Sequence, residues 1–513
     1  MTITPADAVS ITPDPLGIMD VVRVARHDVA VTISEEAIER VVNAHEAVKV
    51  LESAEAPVYG ISTGFGAMAS RHIPPSDRRR LQVSLIRSHA AGVGDPVERE
   101  VVRAMMLLRA RTLATGYSGV RPVVLERLVD LLNHGLTPLV PEHGSLGCSG
   151  DLAPLAHVAL ALIGEGVVET TGGGGVPAEL ALAEVGLEPI RLEPKEGLSL
   201  INGTDGMLGM LVLATTDIGA LLDCADLTAA MSIEALLGTD QTFDPALIAL
   251  RPQVGQQVSA HNLRRFLAGS EIVASHRDGD SRVQDAYSLR CTPQVHGATR
   301  DTLDHARRVV ELELAAAIDN PVVIEGAVRS HGNFHGAPLA LVADFLCIAL
   351  ADAAAIAERR IDRQLDVARS HGLPAFLAEE PGVDSGLMLG QYTAAALVAE
   401  CRRLAQPAAV DSIPTSAMQE DHVSMGWAAC RKLRKTVDAF GAVLGIEAVV
   451  AARGLDCRRP LRPARRTAAA RAVLRELVPG MGPDRYLAPE LALAIDLVRN
   501  GTLLRAAGEV RGD

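Results

Sequence analysis

Residues 339–365 read LALVADFLCIALADAAAIAERRIDRQL, a long stretch rich in Ala and Leu that contains no Gly or Pro. This composition favours an α-helix, because Ala and Leu have high helix propensity and no helix-breaking residue interrupts them. Apolar residues occupy most of its circumference. A helix of this kind is buried on many sides, in a large bundle or an oligomer.

Three other segments, 207–237, 301–318 and 390–405, have a similar Ala- and Leu-rich texture. The chain before residue 206 differs, because Gly-rich turn signals such as YGISTGFG, GSLGCSG and NGTDG recur there. We therefore predict a mainly α fold in two parts. A smaller mixed, loop-rich N-terminal part covers residues 1–206, and a long central helical bundle with C-terminal helices covers residues 207–513.

The composition limits the partners that this protein can have. Its net charge is −14, with 63 acidic against 49 basic residues, which argues against nucleic acid as a main partner. The first twenty residues lack the Lys, Arg and apolar core of a secretory signal, and the seven Cys form no CxxC pair. The most apolar stretch, 339–357, is interrupted by Asp344 and Asp352. We predict a cytoplasmic protein without nucleic-acid or membrane partners.

The segment 144–157, GSLGCSGDLAPLAH, has the most distinctive chemistry in the chain. One interpretation is a tight turn followed by a helix N-cap. A serine-hydrolase elbow fits poorly, because GxSxG needs Gly two residues after the serine and Asp151 stands there. A third interpretation is self-processing. The Gly150 nitrogen would attack the Cys148 carbonyl to close a five-membered ring, and Ser149 would then lose water to leave an electrophilic methylidene.

This segment resembles the self-processing tripeptide of the aromatic amino acid ammonia-lyase family, and within that family the match is to members that act on histidine. Two positions depart from the usual pattern: Cys148 replaces the common Ala, and Met418 stands where many members have Asn. The other matching motifs, in family order, are YGISTGFG (59–66), LIRSHAAG (85–92), NGTDGMLGM (202–210), VQDAYSLRCTPQV (283–295), DNPVV (319–323), GNFHG (332–336) and SAMQEDHVSMG (416–426).

The resemblance implies a methylidene-imidazolone prosthetic group formed autocatalytically from Cys148, Ser149 and Gly150, with no metal or nucleotide cofactor. Such a group meets a chemical need, because the amine of an amino acid is a poor leaving group and its β-proton is barely acidic. Adding the amine to the methylidene makes it a better leaving group. Cys148 contributes only its carbonyl to the ring, so we expect it to permit ring closure.

Two tyrosines and one amide are implied to act beside this group. Tyr59 resembles the family's base for the β-proton, and a phenol with an ordinary pKa of about 10 needs its anion stabilised to act at neutral pH. Tyr287 could share the proton handling or position the amine. Asn202 is implied to lie near the prosthetic group or the substrate carboxylate, although Asn-Gly is also typical of a type I′ hairpin turn.

Arg290 is implied to bind the substrate carboxylate, because a guanidinium offers a bidentate fork of donors. Gln284, which the resemblance also places at the substrate, lies three residues before Tyr287, and Arg290 lies three residues after it. On a helix this spacing aligns all three side chains, whereas in a loop it need not.

His89, Glu420 and Phe334 are implied to recognise the substrate side chain. An imidazole offers both a donor and an acceptor, so a histidine and a carboxylate suit it, whereas a phenyl ring would leave Glu420 unpaired at a cost on the order of several kcal/mol. The resemblance therefore implies elimination of ammonia from L-histidine to give trans-urocanate, the first step of histidine catabolism. It also implies a homotetramer with active sites built from three subunits.

Two alternatives stay open at the level of sequence. One is a tyrosine ammonia-lyase or aminomutase on the same scaffold, because a Ser-His pair like Ser88-His89 also occurs among tyrosine-acting relatives; Glu420 separates the two assignments. The other is a non-catalytic helical scaffold. It predicts that Cys148, Ser149 and Gly150 keep the mass of the unmodified chain.

Overall fold

The computed structural model describes residues 8–52 and 57–509. Over these residues the chain is mainly helical, so the predicted mainly α fold is confirmed. The helices are α1 Ile18–His27, α2 Glu35–Glu52, α3 Arg78–His89, α4 Arg99–Ala114, α5 Pro122–Asn133, α6 Leu152–Leu162, α7 Ala178–Glu184, α8 Glu196–Ile201, α9 Asp205–Ala235, α10 Pro245–Ala249, α11 Val254–Leu267, α12 Glu271–Ala274, α13 Tyr287–Arg290, α14 Thr292–Leu314, α15 Ala337–Leu365, α16 Met388–Leu404, α17 Gly426–Cys457, α18 Arg465–Leu477, α19 Ala488–Arg499 and α20 Thr502–Glu509.

The strands of the described residues are short and pair in small groups. Strand β1 pairs with β2 in parallel, whereas β3 with β5, β4 with β6, β6 with β7, and β8 with β9 pair antiparallel. Their bounds are β1 Val9–Ile11, β2 Val31–Ile33, β3 Val93–Pro96, β4 Thr137–Pro138, β5 Pro141–His143, β6 Val167–Glu169, β7 Gly175–Pro177, β8 Val322–Ile324 and β9 Ala327–Arg329.

The four apolar segments singled out from the sequence correspond to α9, α14, α15 and α16. The longest of the described helices, α17, was not among them; it contains Gly441, Gly445 and Gly454. At Gly445 the close approach of another helix leaves no room for a side chain. A Cβ there would lie 2.7 Å from the Cα of Ile495 on α19, so only glycine allows the two helices to approach this closely.

Packing groups the described residues into two compact units. Unit 1 comprises the described residues up to Leu213, together with Arg307–Ala343 and Pro407–Arg431. Unit 2 comprises Ala214–Ala306, Asp344–Gln406 and the described residues from Lys432 onward. The division at residue 206 stays a prediction about how the chain is organised.

Unit 1 has a core centred on α4, where every residue from Val101 to Ala114 is buried. Helix α4 packs against α1 and α5. It also carries buried arginines whose guanidinium groups donate to backbone carbonyls, among them Arg103 to Val24 and Leu132. These bonds satisfy carbonyls that would otherwise be buried without a donor.

Unit 2 combines an apolar core with a buried polar network. Arg360 on α15 pairs with Glu447 on α17, and both side chains are fully buried. Thr228 and Ser232 of α9 donate to the same carboxylate, at 2.8 and 2.9 Å. The buried charge is therefore both paired and hydrogen-bonded, as a low-dielectric interior requires.

Two helical segments, Glu196–Ala235 and Ala337–Leu365, are long and apolar enough by composition to cross a bilayer. Most of each segment's apolar window is buried inside the protein, however. They are therefore core helices, and their apolar character reflects packing against other helices.

Candidate active site

A cavity of about 560 Å³ in unit 1 brings together five residues singled out from the sequence: Tyr59, His89, Ser149, Asn202 and Glu420. Each comes from the end of a helix or from a loop between elements. Tyr59 follows α2, His89 ends α3, Ser149 precedes α6, Asn202 follows α8 and Glu420 precedes α17. The fold therefore places a reactive serine, an amide, a phenol, an imidazole and a carboxylate around one space.

Ser149 is held by the side chain of Asn202. Its hydroxyl donates to Oδ1 of Asn202 at 2.8 Å, while Nδ2 of Asn202 donates to the carbonyl of Asn320 at 2.6 Å. Asn202 is only 2% exposed. It lies between α8 and α9 and is not part of a hairpin. The amide therefore connects the reactive tripeptide to the backbone before β8.

Gly150 has a backbone that only glycine accommodates easily. Its φ is +73°, in the left-handed region, and a Cβ there would lie 2.1 Å from the carbonyl oxygen of Gly203. The same Gly203 oxygen accepts a 2.7 Å hydrogen bond from the amide of Asp151. The two segments are thus in direct backbone contact.

Asp151 anchors the tripeptide from its C-terminal side, a role that the sequence pattern did not indicate. Its buried carboxylate accepts hydrogen bonds from the Ser145 hydroxyl at 3.1 Å and from the amides of Gly206 and Met207, both at 2.9 Å. Burial raises the pKa of Asp151 to about 7, although these hydrogen bonds act in the opposite direction. One side chain therefore joins both ends of the reactive loop to the start of α9.

Tyr59 presents a phenol whose environment disfavours the anion. Its oxygen accepts a 3.3 Å hydrogen bond from the amide of Gly66, and its ring packs edge-on against Phe65. Burial raises the pKa of Tyr59 above its ordinary value, and the negative charge of Glu420 raises it further. None of the described groups that shift this pKa carries a positive charge. To act as a base at neutral pH, Tyr59 therefore needs a positive group close to its oxygen.

His89 is held as a neutral ring at the end of α3. Its Nδ1 lies 2.9 Å from the carbonyl oxygen of Leu85, which can only accept, so the proton resides on Nδ1 and Nε2 is an acceptor. Burial lowers the pKa of His89, which favours the same neutral form. The imidazole can thus accept a hydrogen bond from a substrate in the cavity.

Glu420 is oriented by Thr415 across a tight loop. The Thr415 hydroxyl donates to Oε2 of Glu420 at 2.8 Å, and the two residues also form a backbone bridge. The thiol of Cys148 hydrogen-bonds to the same carboxylate, and burial together with this charge raises the pKa of Cys148 to about 12. Cys148 is therefore a protonated donor and not a thiolate nucleophile.

Three of the predicted site residues do not line this cavity: Tyr287, predicted to be catalytic, and Gln284 and Arg290, predicted to bind substrate, all in unit 2. Tyr287 and Arg290 lie on the single turn α13, with Gln284 before it, so the helical spacing holds for only two of the three. Tyr287 is 70% exposed, and the guanidinium of Arg290 lies 4.7 Å from the centre of its ring. Their catalytic and binding roles stay predictions.

Phe334 and Met418 also lie outside the cavity lining. Phe334 stacks on His331 with ring centres 6.4 Å apart, and its role at the substrate stays a prediction. Met418 is 67% exposed, with a left-handed φ of +71°. In the single chain, the Met that stands at the usual Asn position is therefore exposed and does not line the candidate substrate space. Among the described residues, no group of three or more His, Cys, Asp or Glu side chains is placed to hold a metal ion.

Comparison with known proteins places this geometry in context. A family model described as aromatic amino acid lyase matches residues 16–476. Histidine ammonia-lyase of Streptomyces avermitilis is 57% identical, covering 96% of this chain and 97% of its own length. The structure of tyrosine aminomutase from Streptomyces globisporus superposes with a TM-score of 0.92 at 38% identity, over 98% of this chain and 99% of that chain. That of histidine ammonia-lyase from Trypanosoma cruzi gives 0.89 at 36% identity, over 98% and 95%.

Proposed function

Because the chain belongs to the aromatic amino acid lyase family, we propose that it eliminates ammonia from L-histidine to give trans-urocanate, the first step of histidine catabolism. The chain is thus a carbon–nitrogen lyase. The observation that carries the choice of substrate is Glu420, which lines the same cavity as Ser149, Asn202 and His89. A carboxylate and a neutral imidazole whose Nε2 accepts both suit a substrate ring that donates N–H hydrogen bonds.

The tripeptide Cys148-Ser149-Gly150 fits the methylidene-imidazolone implied by the family. Ring closure joins the Gly150 nitrogen to the Cys148 carbonyl carbon and releases one water. Loss of the Ser149 hydroxyl together with its α-hydrogen releases a second. The bare backbone of Gly150 and the held hydroxyl of Ser149 suit both steps. Once formed, such a group supplies an electrophile that turns the substrate amine into a better leaving group.

Substrate selection follows from the fixed carboxylate. Thr415 restrains one oxygen of Glu420, so the carboxylate is pre-oriented and loses little freedom on binding. A substrate imidazole N–H would meet this acceptor, and Nε2 of His89 provides a second acceptor. A phenylalanine ring would bury the carboxylate without a donor, at a cost on the order of several kcal/mol.

The β-proton is proposed to leave to Tyr59. Burial and the Glu420 charge both oppose ionisation of this phenol, so we propose that a positive charge from a neighbouring copy lowers its pKa. A neighbouring copy can supply it through the exposed segment that bears Tyr287 and Arg290. In this arrangement Arg290 would also bind the substrate carboxylate, with Gln284 and Phe334 completing the pocket.

We also propose a homotetramer, because unit 2 exposes apolar surface that a second copy could cover. Unit 2 has an apolar groove of about 580 Å³ between α14 and α15, lined by residues that include Val295, Phe345 and Ile348. Phe345 and Ile348 are exposed in the single chain, and burying them against a second copy would remove apolar surface from water. We place this tetramer in the cytoplasm, without nucleic-acid or membrane partners.

Turnover of L-histidine and of L-tyrosine by the purified full chain tests this proposal. We expect appearance of urocanate absorbance with L-histidine and a much lower kcat/KM with L-tyrosine. Ser149→Ala is the control, because it keeps the fold but has no hydroxyl to eliminate, so kcat should fall by at least about a thousandfold. Preference for L-tyrosine would overturn the assignment to histidine.

A tyrosine ammonia-lyase or aminomutase is the second candidate, favoured by the 0.92 TM-score to a tyrosine aminomutase. The product distinguishes these reactions, because a mutase retains the amine on the β-carbon whereas a lyase releases ammonia. Intact-mass measurement tests the scaffold alternative separately. Loss of two waters from the wild-type chain would exclude an unprocessed scaffold, and a full unmodified mass would exclude the prosthetic group.

A further inference from the structure

A buried ion pair lies behind the Asn202 side of the cavity. Nζ of Lys195 lies 3.0 Å from Oδ2 of Asp319, and the two side chains are 0% and 1% exposed. The same ammonium donates to the hydroxyl of Ser199 at 2.8 Å. Burial lowers the pKa of Lys195, an effect that the Asp319 charge opposes.

Net stability does not by itself account for such a pair. Removing two charges from water costs about as much as their mutual attraction returns, so an apolar pair of similar volume is often as stable. Lys195 also has a φ of +73°, in the left-handed region that disfavours a residue with a side chain. Stability therefore does not explain the pair, whereas holding neighbouring groups in place would.

The carboxylate end of the pair leads directly to the reactive serine. Oδ1 of Asp319 accepts from the amide of Asn320 at 2.7 Å, and the carbonyl of Asn320 accepts from Nδ2 of Asn202 at 2.6 Å. Oδ1 of Asn202 then accepts from the Ser149 hydroxyl at 2.8 Å. Three consecutive hydrogen bonds thus join Asp319 to Ser149.

The ammonium end of the pair reaches Asn202 along a second route. Ser199, which accepts from Lys195, lies on α8, and Asn202 is the residue that follows this helix. The guanidinium of Arg109 donates to the carbonyls of Ser199 at 2.9 Å, Asn202 at 3.2 Å and Ile318 at 2.8 Å. Lys195 and Arg109 therefore clamp the end of α8 to residues 318–320.

This clamp decides which way the Asn202 amide faces. The two ends of an amide have nearly the same shape, so only hydrogen-bond partners distinguish them. The Asn320 carbonyl can only accept, so it requires Nδ2, and Oδ1 must then face Ser149. If residues 318–320 shift away from α8, the amide loses this preference and the Ser149 hydroxyl loses its fixed acceptor.

We propose that Lys195 and Asp319 are positioning residues that fix the orientation of the Asn202 amide toward Ser149. This role rests on the proposed function of Ser149 and Asn202. It predicts that loss of the pair impairs processing of the tripeptide and turnover even where the folded state survives.

The double variant Lys195→Met/Asp319→Leu separates positioning from stability. Either single change leaves a buried charge unpaired and destabilises the protein, whereas the double change replaces both charges by apolar groups. We expect the double variant to unfold near the wild-type temperature, to show incomplete loss of two waters by intact mass, and to have a kcat for L-histidine reduced by at least about tenfold, with KM changed less.

Arg103→Met is the matched control, because Arg103 is equally buried in unit 1 but bonds to Val24 and Leu132, remote from Asn202 in the hydrogen-bond network. It should lower the unfolding temperature and leave the two-water loss complete. Asp319→Asn is the second variant, in case the double variant does not fold. It removes the charge that pairs with Lys195 but is isosteric and keeps a polar acceptor, so it disturbs the fold less than an apolar single change, and it should reduce kcat by a smaller factor.

The wild-type measurements decide the proposed function separately. A wild-type chain of unmodified mass that does not act on L-histidine would reject that function and the positioning role with it. A processed and active wild type, with a double variant or Asp319→Asn of equal kcat and complete two-water loss, would reject only the positioning role.

Discussion

The backbone of Gly150 lies so close to that of Gly203 that a Cβ on Gly150 would lie 2.1 Å from the Gly203 carbonyl oxygen. The φ of Gly150 is also +73°. Two properties of glycine are thus used at the ring-closing residue, its freedom in the left-handed region and its missing side chain. Strain and close approach can be separated experimentally, because the chain has other left-handed glycines in open space.

Gly150→Ala should abolish processing of the tripeptide. The new methyl group would push the loop off Gly203 and move the Gly150 nitrogen from the Cys148 carbonyl. We expect intact-mass measurement to show no loss of water and turnover of L-histidine to fall below detection. Gly173→Ala is the control, because Gly173 has a φ of +78° and open space around the position of a Cβ, with no atom within 4 Å. It should cost only about 1–2 kcal/mol of strain and keep full activity. Normal processing in Gly150→Ala would refute the role of this contact.

Glu420→Gln should lower kcat/KM for L-histidine by about tenfold to a hundredfold, since a hydrogen bond to a charged group contributes roughly 1.5–3 kcal/mol. Thr415→Val should have a smaller effect in the same direction, because it removes only the restraint on the carboxylate. Steady-state kinetics with L-histidine and L-tyrosine would measure both. Glu325→Gln, at an exposed position on the turn between β8 and β9, should leave kinetics unchanged. Equal losses for both substrates would argue that Glu420 does not select the ring.

Asp151 should make stability depend on pH between about 4 and 7. Burial raises its pKa in the folded protein to about 7, above the value of about 3.9 for an unfolded chain. The folded state therefore binds this proton more tightly. The resulting stability is fully present below about pH 4 and is lost as the pH rises to about 7.

Asp151→Asn should remove this dependence, because the amide oxygen can accept from Gly206 and Met207 and needs no proton. Denaturant unfolding at pH 5 and pH 8 would measure it. The unfolding free energy of the variant relative to wild type should rise between these pH values, by up to a few kcal/mol. The exposed Asp278→Asn should follow the wild type. A constant difference between Asp151→Asn and wild type would show that Asp151 is ionised throughout.

Met418→Asn should stabilise the protein slightly without changing catalysis. Met418 has a left-handed φ of +71°, which Asn tolerates better than Met, so we expect a gain below about 1 kcal/mol. Because its side chain is exposed and outside the cavity lining, kcat/KM for L-histidine should stay the same. Met19→Asn, an exposed change within α1, should bring no gain. An altered kcat/KM in Met418→Asn would show that residue 418 meets substrate in the assembled enzyme.

Local sequence patterns predicted the long helices well. The segment 339–365 corresponds to α15 at Ala337–Leu365, because helix propensity and apolar periodicity act over neighbouring residues. The prediction missed α17, whose glycines are explained by contacts with other helices and not by local turns. Local preference was overridden there by packing.

The sequence by itself determined the mainly helical character and the family, because the reactive tripeptide and the motifs around it are contiguous residues with recognisable chemistry. Only the tertiary structure decided what surrounds Ser149. It paired Asn202 with Ser149 from 53 residues away and Lys195 with Asp319 from 124 residues away, and it turned Asp151 into an anchor for the start of α9. The physical reason is that such buried polar contacts form when distant segments exclude water from each other. The spacing of residues along the chain does not indicate which segments will meet.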